Sequence, residues 1–207
     1  MKKLTSSEIN RDELQRLVRS VTFFKEIVKI DSDQFELLLS VSEFVEAPAG
    51  EVVLKKGEEA YTLYFLLKGQ MTVLSEDSQN LNIINPGEVF GTLSMLTGQG
   101  RSATVKAETD VVLLGLDFKY FQEMTDVSLF SIDTKLVAYR MVVHTIRWTL
   151  EMNRMQYPKH FLVPKLLKLP IYMGEKGGKE ELVALYTQSR ALADLLYEWN
   201  DSLQIDR

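Results

Sequence analysis

Glycines are concentrated in one part of this 207-residue chain, and that distribution limits the folds open to it. Eight of the eleven glycines lie between Gly50 and Gly115, separated by short runs of β-branched and aromatic residues. Lys68-Gly69 and Asn85-Pro86-Gly87 have the composition of tight turns. The predicted strands are 51–54, 62–67, 70–74, 81–84, 102–107 and 111–116. Short, regularly spaced antiparallel strands predict a small barrel or jelly roll that leaves few open edges.

Helical periodicity flanks this β region on both sides. The pattern of apolar residues predicts helices over 6–20, 32–44, 131–157 and 180–203. Ser6 or Ser7 is the expected cap of the first helix, and Asp31 or Ser32 that of the second. The predicted class is therefore α+β, in three parts: a β-barrel domain with N-terminal helices over 1–130, a long connecting helix over 131–157, and a helical region over 158–207.

Composition removes several classes of function. With no cysteine, the sequence has no disulfides, thiolate metal sites, iron–sulfur clusters or thiol catalysis. The first residues lack the apolar stretch of a signal peptide, and no apolar run reaches the length of a membrane span, so we expect a cytoplasmic protein. No Ser-His-Asp set, carboxylate pair or phosphate-binding Walker loop is evident, and the sequence predicts that the protein is not an enzyme.

One loop has the composition of an anion site. Residues 90–104 read Phe-Gly-Thr-Leu-Ser-Met-Leu-Thr-Gly-Gln-Gly-Arg-Ser-Ala-Thr, with three glycines and one cation, Arg101. Such a loop can turn several backbone N–H groups inward, and an Arg fork can close over the anion that they hold. The alternative is an ordinary glycine-rich turn with a surface arginine.

The order of motifs around this loop resembles the cyclic nucleotide-binding domain, the ligand module of catabolite-activator-type regulators and of cyclic-nucleotide-regulated kinases and channels. The resemblance extends over roughly residues 15–157. It implies an eight-stranded jelly-roll barrel with a phosphate-binding cassette, followed by a long helix. The motifs that carry it are Phe23-Phe24-Lys25, Ala49-Gly50-Glu51-Val52-Val53, Lys56-Gly57-Glu58, Leu63-Tyr64-Phe65-Leu66-Leu67-Lys68-Gly69, Pro86-Gly87-Glu88-Val89-Phe90-Gly91 and Arg101-Ser102-Ala103-Thr104-Val105.

The resemblance also implies a ligand site. Backbone amides near Gly91 and Leu93 would face the ligand, Arg101 would pair with the cyclic phosphate, and the Ser102 hydroxyl would add a contact. The implied ligands are cyclic AMP or cyclic GMP, with no cofactor. No metal is expected, because His144 and His160 lie outside any ligand spacing.

Thr92 departs from the family pattern. The family cassette usually begins Phe-Gly-Glu, and that glutamate accepts a hydrogen bond from the ribose 2′-hydroxyl. A shorter, uncharged threonine forfeits about 1.5–3 kcal/mol, or roughly 10- to 150-fold in affinity. Three outcomes stay open: weak cyclic-nucleotide binding, a different ligand, or a site that has lost its ligand.

The predicted helix 131–157 has apolar residues at alternating steps of four and three, the pattern of a helix–helix seam. In activator-type members of the family this helix forms a parallel dimer, so we predict a homodimer. The alternative is a helix that packs on its own domain. The predicted interface residues are Leu136, Tyr139, Val143, Ile146, Leu150 and Asn153.

Charge is distributed unevenly along the chain. Residues 31–130 hold 16 acidic and 6 basic residues, whereas residues 135–179 hold 9 basic and 2 acidic ones. The basic segment could meet phosphate or an acidic protein face, or it could be a solvated helix face. No second helix or turn of a helix-turn-helix follows the long helix, and the acidic helix 180–203 would repel a phosphate backbone, so DNA binding is not expected.

Three functions remain. The preferred one is a non-enzymatic regulatory module that binds a cyclic nucleotide and signals through an unidentified protein partner. The second is a dimeric, catabolite-activator-like transcription regulator that binds DNA. The third is a structural interaction protein without a ligand.

Overall fold

The computed structural model describes residues 1–4, 11–59, 61–75, 78 and 80–205. The chain divides into two compact units, Met1–Met95 with Gln99–Lys119, and Leu96–Gly98 with Tyr120–Arg207. This division falls near residue 119, and the predicted organisation in three parts stays a prediction. The predicted segments 131–157 and 158–207 lie together in the second unit.

The described residues of the first unit form two antiparallel sheets with helices before them. The elements in chain order are β1 (Lys2–Lys3), α1 (Arg11–Ser20), α2 (Thr22–Ile30), α3 (Ser32–Ser40), β2 (Ser42–Ala47), β3 (Val52–Leu54), β4 (Thr62–Lys68), β5 (Met71–Leu74), β6 (Asn80–Ile84), β7 (Val89–Phe90), α4 (Leu93–Thr97), β8 (Thr104–Ala107) and β9 (Val111–Asp117). One sheet has the strand order β1-β2-β9-β4-β7 and the other β3-β8-β5-β6.

The six predicted strands are confirmed as β3, β4, β5, β6, β8 and β9, and the α+β class with a jelly-roll barrel is confirmed with them. The second predicted helix was too long. It ends at Ser40, and Ser42–Ala47 is a strand in which Val45 and Ala47 are buried while Glu46 between them is exposed. The period of two, and not the apolar content, decides this segment. The first helix is described from Arg11, so its expected serine caps lie outside the described residues.

The helices at the start of the first unit are fixed to the barrel by aromatic rings. Phe23 and Phe24 of α2 contact Phe65 of β4, at ring-centroid distances of 5.2 and 4.8 Å. Phe35 of α3 meets Phe24 edge to face. Asp31 caps α3, because its side chain accepts hydrogen bonds from the backbone N–H groups of Asp33 and Gln34. The barrel interior consists of Val45, Ala47, Val53, Leu54, Leu66, Met71, Ile84, Phe90, Val105, Ala107, Val111 and Leu113.

The second unit is helical throughout its described elements, which are α5 (Lys119–Gln122), α6 (Ile132–Gln156), α7 (Val163–Lys168) and α8 (Gly178–Ile205). The long helix predicted over 131–157 is confirmed as α6, and the helix predicted over 180–203 as α8. The two pack along each other and run parallel. Near their starts, Arg140 makes two hydrogen bonds to Glu181. Past the end of α6, the Nε2 atom of His160 lies 3.0 Å from the Oγ atom of Ser202, near the end of α8.

The predicted dimer seam is buried inside a single chain. Five of its residues, Leu136, Tyr139, Val143, Ile146 and Leu150, are buried, and Asn153 is half-buried. Apolar residues at steps of four and three are the pattern of a contact with a second helix, and α8 of the same chain packs along α6. The spacing is therefore explained without a second copy, and the dimer stays a prediction that needs another surface.

The start of α6 is held by a buried cation. The Lys135 side chain is almost wholly buried, and its Nζ donates hydrogen bonds to the backbone carbonyls of Glu123 and Asp126. Ser131 caps the helix by accepting from the Thr134 N–H at 3.2 Å. These contacts fix the segment that leads into α6.

Much of the basic segment 135–179 is neutralised within the chain. Arg140 pairs with Glu181, Arg154 with Glu151, and Lys165 with Glu198, at 2.6–2.7 Å. Together with the buried Lys135, four of the nine basic residues therefore have their partners in the second unit. This supports the interpretation of a helix face over that of a phosphate-binding patch. Within the described ranges, no helix is both long and apolar enough to cross a membrane.

Candidate anion-binding site

Gly91 opens the candidate site, and the site requires glycine there. The residue follows β7 with φ +80°, in the left-handed region that side chains rarely adopt. A Cβ built at Gly91 would lie 2.9 Å from Nη1 of Arg101. Any side chain at this position would therefore displace the arginine as well as strain the backbone.

The cassette turns from Gly91 directly into the short helix α4. Thr92 is buried and Leu93 is half-buried at its start, and Ser94 is buried within it. After α4, Gly98 has φ +71° and exposes the loop to solvent before Gly100 brings it back. The loop returns to Arg101, ten residues after Gly91 along the chain.

Backbone hydrogen bonds to the loop after β3 fix the far end of the cassette. The Arg101 N–H donates to the Glu58 carbonyl, and the Gly57 N–H donates to the Arg101 carbonyl, both at 2.9 Å. A Cβ on Gly100 would lie 2.6 Å from the Gly57 carbonyl oxygen, so glycine is needed for this close approach. Lys56-Gly57-Glu58, identified by its resemblance, is thus the segment that positions Arg101.

The Arg101 side chain points into the barrel and not to solvent, since only 3% of the residue is exposed. Its Nη1 donates to the Gly91 carbonyl at 2.6 Å and to Ser94 Oγ at 2.9 Å. Its Nη2 donates to the Thr62 carbonyl at 2.7 Å. All three acceptors are uncharged oxygens. The interpretation of an ordinary turn with a surface arginine does not describe this side chain.

One nitrogen of the Arg101 guanidinium has no hydrogen-bond partner among the described residues. It is Nε, which is buried. A buried N–H without an acceptor costs about 1–3 kcal/mol. Burial lowers the pKa of Arg101, while the nearby Tyr64 and Glu58 oppose part of that effect. The site therefore contains a buried cation with an unused donor, and the acceptors found for it among the described residues are uncharged oxygens.

The aromatic ring of Tyr64 lies near the Arg101 guanidinium. The ring stacks on Phe90 at a centroid distance of 5.6 Å, and burial raises the pKa of the Tyr64 hydroxyl. Tyr64 lies opposite Gly115 in the β4–β9 pair, and a Cβ on Gly115 would come within 3.0 Å of the tyrosine ring. The glycine leaves the space that the ring occupies.

The structure brings some of the predicted residues together and adds others. Gly91 and Arg101 meet directly, and Thr92, Leu93 and Ser102 adjoin them along the chain. Ser94 and Thr62 were not predicted. Ser94 is one hydroxyl in a loop rich in hydroxyls, and Thr62 contributes only its backbone carbonyl, which no sequence pattern reveals. Among the residues that the structure describes, no cluster of His, Asp or Glu could hold a metal ion.

Comparison with known proteins identifies the barrel. Residues 44–128 match the family described as the cyclic nucleotide-binding domain. The matched segment is similar to that domain. It includes the whole cassette from Gly91 to Ser102, and the resemblance inferred from the motif order is confirmed.

Named relatives match over part of their length. The cAMP-activated global transcriptional regulator CRP of Salmonella typhimurium is 32% identical over 98 residues, which are 45% of this chain and 47% of CRP. The cAMP-dependent protein kinase regulatory subunit of Eremothecium gossypii is 29% identical over 118 residues, or 57% of this chain and 26% of that protein. The chain thus spans about half or less of these relatives.

Solved structures agree on the fold. A cyclic nucleotide-binding domain from Methylobacillus flagellatus KT has a TM-score of 0.55 at 18% identity, over 75% of this chain and 87% of that one. At this identity the likeness concerns the fold alone.

Proposed function

We propose that this chain is a non-enzymatic regulatory module whose cassette binds the phosphate of a cyclic nucleotide through Arg101. The observation that carries the proposal is the buried guanidinium with an unsatisfied Nε–H and only uncharged hydrogen-bond acceptors. A cyclic phosphate diester supplies one negative charge and several acceptor oxygens, which match that deficit. The names of CRP and of the kinase regulatory subunit refer to cAMP, which makes cyclic AMP the first ligand to test.

Thr92 sets the expected affinity and selectivity. A pocket without the usual glutamate has no charged acceptor for the ribose 2′-hydroxyl. The threonine hydroxyl can make one uncharged hydrogen bond, worth about 0.5–1.5 kcal/mol. We therefore expect a weak site that discriminates little between a ribose and a 2′-deoxyribose in the ligand.

Isothermal titration calorimetry of the purified chain against cyclic AMP and cyclic GMP tests this function. The proposal predicts saturable binding of at least one of them at one site per chain, lost in Arg101→Ala. The matched control is 2′-deoxy cyclic AMP, which should bind within about threefold of cyclic AMP, a difference below 1 kcal/mol. Absence of heat with every one of these nucleotides at millimolar concentration would reject the proposal in favour of a ligand-free interaction protein.

The quaternary part of the proposal is a homodimer through the outer face of α6. Trp148, Met152 and Met155 are 61%, 47% and 73% exposed, and with the half-buried Met141 and Thr145 they follow steps of four and three. The side chains of this second set are partly or largely exposed, whereas those of the predicted interface on α6 are mostly buried. The second set is about 22 Å long at 1.5 Å per residue, which is short for a stable interface of roughly 800 Å² per partner. We therefore expect a dimer that forms reversibly at tens of micromolar.

Sedimentation velocity with Trp148→Glu tests the dimer. The variant places a carboxylate in the middle of the apolar seam and should stay monomeric at concentrations where the wild type associates. Met173→Glu is the control, because Met173 is more exposed still but lies outside α6. A wild type that is monomeric at a hundred micromolar, or a Trp148→Glu variant that dimerises normally, contradicts this interface.

A further inference from the structure

The terminal edge of the Arg101 guanidinium is already occupied by the protein. A guanidinium has five N–H donors, two on each terminal nitrogen and one on Nε. Both Nη1 hydrogens have acceptors, the Gly91 carbonyl and Ser94 Oγ. Nη2 donates to the Thr62 carbonyl. Three of the five N–H groups therefore have acceptors, and Nε is the nitrogen that has no partner among the described residues.

Two of these three acceptors belong to the backbone. The Gly91 carbonyl is fixed by the left-handed turn at the cassette start, and the Thr62 carbonyl lies at the start of β4, which pairs with β9. Substitution of a side chain removes neither of them. The Ser94 hydroxyl is the one side-chain acceptor that Arg101 uses, and it belongs to α4 within the cassette itself.

We propose that Ser94 sets the affinity of the cassette by occupying a donor of Arg101 that an incoming anion would otherwise use. The serine hydroxyl is an internal competitor, since it satisfies Nη1 when no ligand is bound. This inference rests on the proposed function, because it concerns the same anion site. It adds to that function a residue which tunes the affinity from inside the cassette.

The burial of the site gives this competition its strength. Ser94 is 4% exposed and Arg101 3%, so water cannot readily replace the hydroxyl as an acceptor. Without the hydroxyl, Nη1 would keep one acceptor and gain an unsatisfied hydrogen in addition to the unsatisfied Nε–H. A phosphate oxygen would then satisfy a donor that in the wild type is already satisfied. Removal of the hydroxyl should therefore lower the stability of the protein without ligand and strengthen anion binding at the same time.

The experiment combines thermal unfolding with calorimetric titration of cyclic AMP for the wild type, Ser94→Cys and Ser94→Ala. We expect the melting temperature without ligand to fall in that order and the affinity for cyclic AMP to rise in the same order, by about three- to tenfold in Ser94→Ala. The thiol keeps the side-chain size and is a weaker acceptor, so it gives an intermediate result even where the alanine variant folds poorly. Ser189→Ala is the matched control, because Ser189 is fully buried on α8 and donates to the Tyr186 carbonyl. It should lower the melting temperature and leave the affinity unchanged.

The outcomes separate this inference from the function on which it rests. A wild type that binds cyclic AMP, with Ser94 variants that bind equally or more weakly, overturns the inference and leaves the proposed function standing. A weaker Ser94→Ala would mean that the hydroxyl contacts the ligand or holds Arg101 in its binding position. Absence of binding in the wild type and in both Ser94 variants overturns the inference and the proposed function together.

Discussion

Two cations are buried among the residues that the structure describes, Arg101 in the barrel unit and Lys135 in the helical unit, and their hydrogen bonding differs. Both are almost fully buried, both donate to backbone carbonyls, and burial lowers the pKa of both. Lys135 bridges two carbonyls of the loop that precedes its own helix. Arg101 reaches three oxygens from separate segments and still has an unsatisfied Nε–H.

This difference separates a structural cation from one available to a ligand. An ammonium group is compact and can be enclosed by a few carbonyls, whereas a planar guanidinium with five donors is hard to satisfy with backbone alone. The position with the incomplete hydrogen bonding is also the one in the cassette of the cyclic nucleotide-binding domain. We infer that Lys135 stabilises the fold and that Arg101 is kept for an anion.

Arg101→Ala should give the largest effect, and it falls on binding. Loss of a buried charge and of two or more charge-assisted hydrogen bonds is expected to weaken cyclic AMP binding by about 1,000-fold or more, or about 4 kcal/mol. Calorimetry measures the affinity. Arg101→Lys is the companion variant, which retains the charge without the fork and should recover only part of the binding. An affinity within twofold of the wild type in Arg101→Ala would show that the cassette is not the binding site.

Lys135→Met should give the opposite result, with an effect on stability and none on binding. The substitution leaves two backbone carbonyls without their donor, which is expected to cost about 2–4 kcal/mol of unfolding free energy. Urea unfolding measures this loss, and the affinity for cyclic AMP should stay within twofold of the wild type. The exposed Lys159→Met serves as control and should change stability by less than about 0.5 kcal/mol. If Lys135→Met instead abolished nucleotide binding, the distinction between the two cations would fail.

Thr92→Glu sharpens the comparison, because it gives the Arg101 pocket a carboxylate. The new side chain can accept from the ribose 2′-hydroxyl, so affinity for cyclic AMP should rise by about tenfold or more. Affinity for 2′-deoxy cyclic AMP should not rise, and the ratio between the two ligands measures the new contact. Equal gains for both ligands, or none for either, would show that position 92 does not face a ribose.

Glu181 is a buried charge with a charged partner, because it forms an ion pair with Arg140. Its substitution should give the smallest change, and that change falls on the free energy of unfolding. The hydrogen bonds from Arg140 hold the pKa of Glu181 below its usual value, against the opposing effect of burial. A carboxyl with a depressed folded-state pKa contributes stability above its unfolded pKa of about 4.3, and loses that contribution as pH falls through the folded value. Because Arg140 is partly exposed, we expect Glu181→Gln to cost only about 1–2 kcal/mol near pH 7.

Urea unfolding of the Glu181→Gln variant as a function of pH measures this contribution. The difference between wild type and variant should be constant near neutrality and should shrink below about pH 4. Glu198→Gln is the control, since Glu198 pairs with Lys165 on the surface and should show a smaller difference throughout. A difference that grows as the pH falls would contradict the sign of the pKa shift.

The sequence predicted the barrel better than the connections within it. Strands such as Thr62–Lys68 and Val111–Asp117 were predictable because turn residues bound them on both sides. β2 was not, since its short alternation follows α3 after a single residue, Val41, and continues the same apolar content. The spacing of apolar residues in α6 indicated a contact with another helix, and the predicted homodimer stays a prediction. The partner of α6 could not be identified from periodicity, because a helix in the same chain and a helix in a second copy impose the same spacing.

The candidate site was predictable where it depends on residue identity and not where it depends on the backbone. Gly91 and Arg101 were predicted from motif order, and the structure brings them into direct contact; their role in ligand binding stays a prediction. The acceptors that hold Arg101 inward do not follow from motif order, because the Thr62 carbonyl and the Gly91 carbonyl belong to the backbone common to all residues. Whether Arg101 faced solvent or the interior was therefore open until its hydrogen bonds were seen.

The proposed role of Arg101 is tested most directly by the response of its Nε–H when a nucleotide is added. Nitrogen-15 NMR of the arginine Nε–H groups, assigned by comparison with Arg101→Lys, follows this one donor during titration with cyclic AMP. We expect the chemical shift of the Arg101 Nε–H to change strongly and to saturate at one nucleotide per chain, together with the shifts of the Gly91 and Leu93 amides. Saturable binding that leaves the Arg101 signal in place, or that shifts only residues outside 91–102, would contradict the proposed role.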